Sequence, residues 1–206
     1  MNQYTEDFLV EQPAMELLQS MGWEIKNCYD EAFGKDGTLG RETASDVVLL
    51  RYLKEAIKKL NPDADIDAVS LAIEEITKDR SSLNILTANK EIYQLLKDGV
   101  SVTYRDEYDE DVEGTIQVID WKNPENNSFL MVNQFWVTGQ VYKRRADIVG
   151  FINGIPLVFM ELKAAHKHIA DAYNQNLRDY KDTIPQLFCI TDLLFFLMAA
   201  KAKLVA

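Results

Sequence analysis

Cysteine and histidine are scarce in this 206-residue chain, which contains two of each. Cys28 and Cys189 lie far apart, so we interpret them as two reduced thiols rather than as a disulfide or a metal site. His166 and His168 have the His-x-His spacing that can bind zinc. No third ligand lies near them in the sequence, which favours two exposed histidines and argues against a zinc site.

Long apolar segments and glycine-rich phosphate loops are also missing. The apolar run at 193–200 is too short to span a bilayer, and the acidic, polar N-terminus does not have the pattern of a signal peptide. We therefore expect a cytoplasmic protein without a membrane partner. No G-x-x-x-x-G-K-[ST] sequence occurs, so we expect no ATPase motor within these residues.

Positive charge is in short supply, because 22 lysines and arginines stand against 33 aspartates and glutamates, for a net charge of −11. Residues 1–141 hold 13 basic and 27 acidic residues, whereas 142–206 hold 9 basic and 6 acidic residues. Affinity for DNA phosphates depends on lysine and arginine contacts. We therefore expect the chain to bind free DNA weakly and to rely on other components to present it.

The spacing of apolar residues changes from helical to strand-like near residue 100. Pro13 either kinks the first helix or places its start at Gln12. The predicted helices are 6–21, 43–60, 65–77, 88–97 and 169–181, and the predicted strands are 100–104, 115–119, 129–137, 148–152, 157–160 and 186–190. Six of the eight residues at 106–113 are acidic, and we interpret them as a solvated hairpin tip.

These elements predict an α/β fold in one domain over residues 1–206, with a central mixed β-sheet flanked by helices. We expect a mainly helical portion at 1–99, a sheet core with the active site at 100–190, and an atypical tail at 191–206. A composition of 47% hydrophobic and 27% charged residues is typical of such a globular domain.

The stretch from Asp147 to Lys163 is the one place where ionisable residues are embedded in strongly apolar strand sequence. Asn153-Gly154 between two apolar runs predicts a hairpin. Asp147 followed by Glu161-x-Lys163 matches the PD-(D/E)xK nuclease pattern, in which two carboxylates hold Mg²⁺ and a lysine acts on the attacking water. The alternative is that Glu161 and Lys163 are ordinary strand-end charges.

The hairpin register decides whether the two carboxylates can meet. A plain two-residue loop at Asn153-Gly154 would put Asp147 opposite Met160 and Glu161 on the other face of the sheet. A three-residue loop or a bulge would instead set Asp147 opposite Glu161. A shared metal requires the second register, and we predict it.

Two further groups of charged residues leave alternatives open. Glu11 is either an accessory metal-site acid delivered by the first helix or a solvated helix charge, and the sequence slightly favours the solvated charge. Lys143, Arg144 and Arg145 either contact DNA phosphates or simply flank the following strand.

Several motifs together resemble the N-terminal region of type I restriction enzyme R subunits over roughly residues 5–188. The motifs are Asn127 with Phe129, V-N-Q-F at 132–135, R-A-D-I-V at 145–149, N-G-I-P-L at 153–157, E-L-K at 161–163, L-G-R at 39–41, L-N-P at 60–62, and the segment 177–188. The resemblance implies a PD-(D/E)xK, restriction-endonuclease-like core that cuts double-stranded DNA with Mg²⁺. In the family this region is fused to an ATP-driven translocase, so ATP is expected only in a full-length subunit, which works with methyltransferase and specificity subunits.

Through this resemblance, Asp147 and Glu161 match the metal ligands and Lys163 matches the catalytic lysine. Gln175 matches the glutamine of the family's Q-x-x-x-Y helical motif, but Tyr180 follows five residues later, whereas Asn176 and Tyr180 keep the spacing of four. Both pairings stay open as accessory site residues. A non-catalytic assembly module that keeps the nuclease fold is the alternative function.

Overall fold

The computed structural model describes residues 11–106, 108–163, 177–191 and 193–198, with the backbone alone for residues 163 and 195–198. Within these ranges, helices cluster in the first half and strands in the second. In chain order the elements are α1 (Gln12–Ser20), β1 (Glu24–Asn27), α2 (Leu50–Leu60), α3 (Ile66–Thr77), α4 (Ile85–Asp98), β2 (Val100–Arg105), β3 (Asp111–Ile116), β4 (Phe129–Thr138), β5 (Lys143–Ile152), β6 (Ile155–Lys163), α5 (Leu177–Thr183), α6 (Pro185–Phe188) and β7 (Leu193–Met198). No helix in these ranges has the length and apolar character that crossing a membrane requires.

The centre of the fold is a five-stranded mixed sheet in the order β1-β4-β5-β6-β7. Strands β4, β5 and β6 form an antiparallel meander, while β1 runs parallel to β4 and β7 runs parallel to β6. The predicted α/β class with a mixed central sheet is therefore confirmed. The membership of the sheet differs from the prediction, because β1 comes from the expected helical portion and β7 from the expected tail, while the strands predicted at 100–104, 115–119 and 186–190 do not belong to it.

Strands β2 and β3 form a separate antiparallel hairpin rather than part of the central sheet. In the acidic stretch, residues 108–110 lie at the tip of this hairpin and 111–113 begin its second strand, and the charged side chains of 109–111 and 113 are exposed, as expected. The second strand of the hairpin lies at Asp111–Ile116, a few residues before the predicted position.

Two apolar clusters lie on the two faces of the central sheet. The larger one joins the inner faces of α2, α3 and α4 to side chains such as Phe135, Phe151 and Phe159. The smaller one joins Met15 of α1 to Met131, Ile148, Met160 and their neighbours. Burial on both faces explains why β5 and β6 read as continuous apolar runs.

The predicted helix at 43–60 is shorter than expected and begins at Leu50. The preceding backbone is used in tertiary hydrogen bonds instead: Leu49 N donates to Gly154 O at 2.8 Å, and Thr138 N donates to Ala44 O at 2.9 Å. Residues 186–190 also differ from the prediction, because Pro185 starts the short helix α6 there in place of a strand.

The β5–β6 hairpin has the two-residue turn that its sequence predicts. Asn153 and Gly154 both have positive φ, +52° and +79°, as a two-residue turn matched to strand twist requires. A β-bulge then shifts the pairing between Gly150 and Phe151. Phe151 pairs with Pro156, but Gly150 pairs with Val158, so one extra residue of β6 enters the ladder.

Candidate active site

Asp147 and Glu161 lie opposite each other on adjacent strands. The ladder beyond the bulge runs to the pair Ile148 and Met160, so the next rung joins Asp147 and Glu161. The Leu162 amide donates to Asp147 Oδ2 at 2.8 Å, which fixes this carboxylate against β6. The predicted register is confirmed, and the bulge rather than a longer turn produces it.

Glu161 is 3% exposed at the end of a strand that is otherwise core. Burying a carboxylate is costly unless other groups compensate its charge. Lys163 follows two residues later in β6, but its side chain lies outside the described residues, so its expected role stays a prediction.

Tyr180 of α5 closes over the carboxylate pair. Burial raises the pKa of its phenol well above the usual range, and the charges of Glu161 and Asp147 together with a hydrogen bond to Glu161 raise this pKa further. Its hydroxyl oxygen also lies 3.0 Å from Arg145 O, and its ring packs edge-on against Phe159. Tyr180 is therefore protonated at neutral pH. Gln175 and Asn176 lie outside the described residues, so the choice between them stays open.

Glu11 does not have the solvated position that the sequence favoured. It is 6% exposed, and its carboxylate accepts hydrogen bonds from Asn133 Nδ2 at 2.6 Å and Gln134 Nε2 at 2.8 Å. Hydrogen bonds from these two side-chain amides of β4 compensate the burial of the carboxylate. Because the partners are more than 120 residues away in the sequence, local patterns could not predict this contact. Among the described residues, no three His, Cys, Asp or Glu side chains group closely enough to hold a metal, although Glu11 and Asp147 line the same cleft.

Gln134 interrupts the regular side-chain alternation of β4 beside Asp147. Its neighbours Asn133 and Phe135 pair with Ile148 and Ala146, so Gln134 lies opposite Asp147. Its φ of +59° is uncommon for a residue with a side chain. Leu130, Val132, Phe135 and Val137 all belong to the larger cluster, so the alternation of β4 shifts by one residue there.

A cleft of about 430 Å³ opens between these elements. Its walls come from the segment around the end of β1, from β4 and β5, and from the residue that precedes α1. The lining residues are Glu11, Asn27, Tyr29, Gln134, Arg145, Asp147 and Leu162. In the sequence, the polar Asn133-Gln134 pair within an otherwise apolar strand could have indicated the β4 side of this cleft. No sequence pattern indicated that Asn27 and Tyr29 line it.

The three basic residues before Asp147 have different environments. Arg144 contacts Asp179 at 2.8 Å and donates to Thr183 Oγ1 at 3.2 Å, so it fastens α5 to β5. Lys143 and Arg145 are exposed and both lie over the ring of Trp136. DNA contact by these residues stays a prediction, and Arg144 is the one already engaged within the protein.

The carboxylate pair suits magnesium better than zinc. Mg²⁺ keeps several waters and is held by one or two protein carboxylates, so it does not need a third acidic ligand. Zinc sites need three or four protein ligands, and such a group is missing from the described part of the chain. Asp147 and Glu161 therefore fit the metal that the sequence pattern predicts.

A five-stranded mixed sheet with flanking helices and a carboxylate pair on adjacent strands is an α/β fold consistent with a nuclease-like domain. The chain also matches the family model described as type I restriction enzyme R protein N terminus over residues 3–203. It therefore belongs to this family of type I restriction enzyme R protein N-terminal regions.

Curated relatives support the same assignment. The chain is 37% identical over 188 residues to the type I restriction enzyme HindI endonuclease subunit of Haemophilus influenzae, an alignment that covers 87% of this chain and 17% of the relative. It is 31% identical over 195 residues to the putative MjaIXP endonuclease subunit of Methanocaldococcus jannaschii, covering 89% and 18%. The EcoprrI endonuclease subunit of Escherichia coli is 26% identical over 182 residues, covering 78% and 53%. The chain thus spans less than a fifth of the length of the first two relatives.

Proposed function

We propose that this chain is the Mg²⁺-dependent endonuclease region of a type I restriction enzyme R subunit, of the PD-(D/E)xK class, and that it hydrolyses phosphodiester bonds of double-stranded DNA. The bulge that sets Asp147 opposite Glu161 carries the proposal. A strand pair without this bulge would separate the two carboxylates onto opposite faces.

In this mechanism Asp147 and Glu161 would hold the metal. Bound there, Mg²⁺ would polarise the scissile phosphate and make the attacking water more acidic. The Leu162 amide holds Asp147 in place. Tyr180 acts as a positioning residue, because its raised pKa keeps it a hydrogen-bonding group beside Glu161. Lys163 is assigned the role of orienting or deprotonating the water, on the basis of the family motif.

The names of the relatives, which are endonuclease subunits of type I restriction enzymes, support a role for this region within a larger complex. We propose that methyltransferase and specificity subunits, together with motor domains of the R subunit, present DNA to the site. The net charge of −11 supports this arrangement, because a strongly acidic chain attracts the phosphate backbone poorly. The 206-residue chain alone should therefore nick DNA slowly or not at all.

Metal titration tests the site without relying on cleavage. We expect calorimetry to detect Mg²⁺ or Mn²⁺ binding to the wild-type chain, and we expect Asp147→Asn and Glu161→Gln to weaken it strongly. These variants keep side-chain shape while removing one charge each. Metal binding that is unchanged in both variants would refute the assignment of the two carboxylates.

Cleavage is tested on supercoiled plasmid with millimolar Mg²⁺ or Mn²⁺. Any nicking by the wild-type chain should disappear in Glu161→Gln. In a full-length R subunit, Glu161→Ala or Lys163→Ala should abolish restriction and leave ATP-driven translocation intact. Restriction that survives both substitutions would instead support a non-catalytic assembly module.

A further inference from the structure

Four side chains form a cationic and aromatic surface beside the cleft, which we call the Trp136 track: Tyr29, Trp136, Lys143 and Arg145. Lys143 Nζ lies 4.5 Å from the centroid of the Trp136 ring. The Arg145 guanidinium carbon lies 5.5 Å from the Trp136 centroid and 5.7 Å from the Tyr29 centroid. These distances fall within the range of cation–π attraction, so the aromatic rings hold both cations in place.

The track leads directly into the proposed active site. Lys143, Arg145 and Asp147 are alternate residues of β5, so successive members are about 6.8 Å apart along the strand. Lys143 and Arg145 both lie over the Trp136 ring, and Arg145 and Asp147 both line the cleft. Two positive charges therefore precede the metal-binding carboxylate in a line.

The two cations differ from the other arginines named so far in having no close acidic partner within the described part of the chain. Arg144, between them, pairs with Asp179, and the buried Arg41 and Arg80 also have acidic partners. Lys143 and Arg145 form no ion pair with any described residue and contact aromatic rings instead. In a chain with a net charge of −11, two such cations beside a carboxylate site suit an anionic ligand.

Tyr29 gives the track a surface for a planar group. Its side chain is 58% exposed, although the preceding Cys28 is fully buried and anchors this segment to the core. An exposed aromatic ring beside phosphate-binding cations is the combination by which proteins bind single-stranded nucleic acid, because each unpaired base offers a face for stacking. In a duplex those faces are covered by neighbouring base pairs.

We propose that the Trp136 track binds an unpaired stretch of DNA strand next to the scissile bond. Lys143 and Arg145 contact successive phosphates, Tyr29 stacks on a base, and Trp136 is the positioning residue for the two cations. This proposal rests on the proposed nuclease function. It adds that the double-stranded substrate is locally opened where one strand enters the site.

The test measures binding of a fluorescent dT oligomer to the 206-residue chain in EDTA, where no metal-dependent cleavage occurs, beside a duplex of equal length. Tyr29→Ala should weaken dT binding by about fivefold to a hundredfold, whereas Tyr29→Phe should bind like wild type because it keeps the ring. Lys143→Gln and Arg145→Gln should each lower the slope of log affinity against log salt by about 0.7. Trp136→Leu should weaken dT binding and lower this slope as well.

Arg51→Gln is the matched control, because its guanidinium also lies over a tyrosine, Tyr52, at 5.4 Å but does not line the cleft. It should leave dT binding unchanged. The proposal is overturned if wild type does not bind dT, if Tyr29→Ala binds dT as wild type does, or if the track variants weaken duplex binding equally. Because binding is measured without metal, the result for the Trp136 track is independent of the metal-binding tests of Asp147 and Glu161.

Discussion

Glu31→Ala should remove a large part of the stability of this protein. Glu31 and Arg41 form an ion pair whose side chains are 2% and 0% exposed. Arg41 Nε donates to Glu31 Oε1 at 2.7 Å, and its Nη2 also donates to the Trp136 carbonyl at 2.7 Å. The guanidinium stacks 4.1 Å from the centroid of Phe135. The pair thus joins the loop before α2 to β4.

The magnitude follows from burial. Without Glu31, the Arg41 guanidinium stays in the core with no charge to compensate it, and removing one partner of a buried pair costs about 3–5 kcal/mol. That is a large fraction of the roughly 5–15 kcal/mol that stabilises a typical domain. Replacing both partners by apolar residues avoids the uncompensated charge, so Glu31→Leu with Arg41→Met should recover much of the loss.

Urea denaturation followed by circular dichroism measures these differences. The matched control is Arg105→Ala, which breaks two exposed pairs, with Asp109 at 2.7 Å and with Asp111 at 3.4 Å; the three side chains are 66%, 79% and 72% exposed. It should cost less than about 1 kcal/mol, because water already screens the exposed pairs. If Glu31→Ala costs no more than Arg105→Ala, burial does not set the magnitude and the reasoning fails.

Three other expectations concern stability and reactivity. Gly154→Ala should cost about 1–3 kcal/mol in urea denaturation, because φ is +79° and the new Cβ would lie 2.6 Å from a backbone oxygen. The pKa of Asp120 is lowered to about 2, chiefly by a hydrogen bond from Asn126. The charged Asp120 therefore stabilises the fold above the ordinary pKa of 3.8, and this stabilisation is lost as the pH falls toward 2. Asp120→Asn should lose less stability in acid than the wild type does, and equal losses would contradict this. Burial raises the pKa of Cys28 to about 12, so a thiol reagent at neutral pH should label Cys28 and Cys189 only after unfolding, and rapid labelling of the native chain would contradict this.

Local sequence was enough to predict the elements whose geometry depends on neighbouring residues. Asn153-Gly154 predicts the tight turn because both positions need positive φ. The helix predicted at 65–77 is found at Ile66–Thr77, where Asp65 caps it by accepting a hydrogen bond from the Asp67 amide, whereas the helix predicted at 88–97 begins three residues earlier, at Ile85. The register that sets Asp147 opposite Glu161 was predicted from the chemistry of a shared metal. The sequence did not show whether a longer turn or a bulge would produce this register.

The bulge at Gly150 depends on tertiary packing. A Cβ at Gly150 would lie 2.8–2.9 Å from atoms of Met131 and Val158, so the close approach of both neighbouring strands needs a glycine there. The two-residue turn by itself would put Asp147 opposite Met160. Packing on both sides of β5 therefore decides that the two carboxylates meet.

Long-range contacts account for the other differences. Glu11 is buried because Asn133 and Gln134, more than 120 residues away, supply its hydrogen bonds. Arg144 is engaged because α5 brings Asp179 to it, while its neighbours Lys143 and Arg145 remain exposed. No local pattern distinguishes three consecutive basic residues in this way.

The α/β class, the turn between β5 and β6, and the placement of acidic residues at the ends of buried strands follow from local sequence, because turn geometry and side-chain periodicity are properties of neighbouring residues. The tertiary structure alone decided that β1 and β7 complete the sheet, that Glu11 lies beside the site, and that Tyr180 closes over Glu161. Those outcomes depend on contacts between distant segments, where the burial of charge is compensated only after the chain has folded.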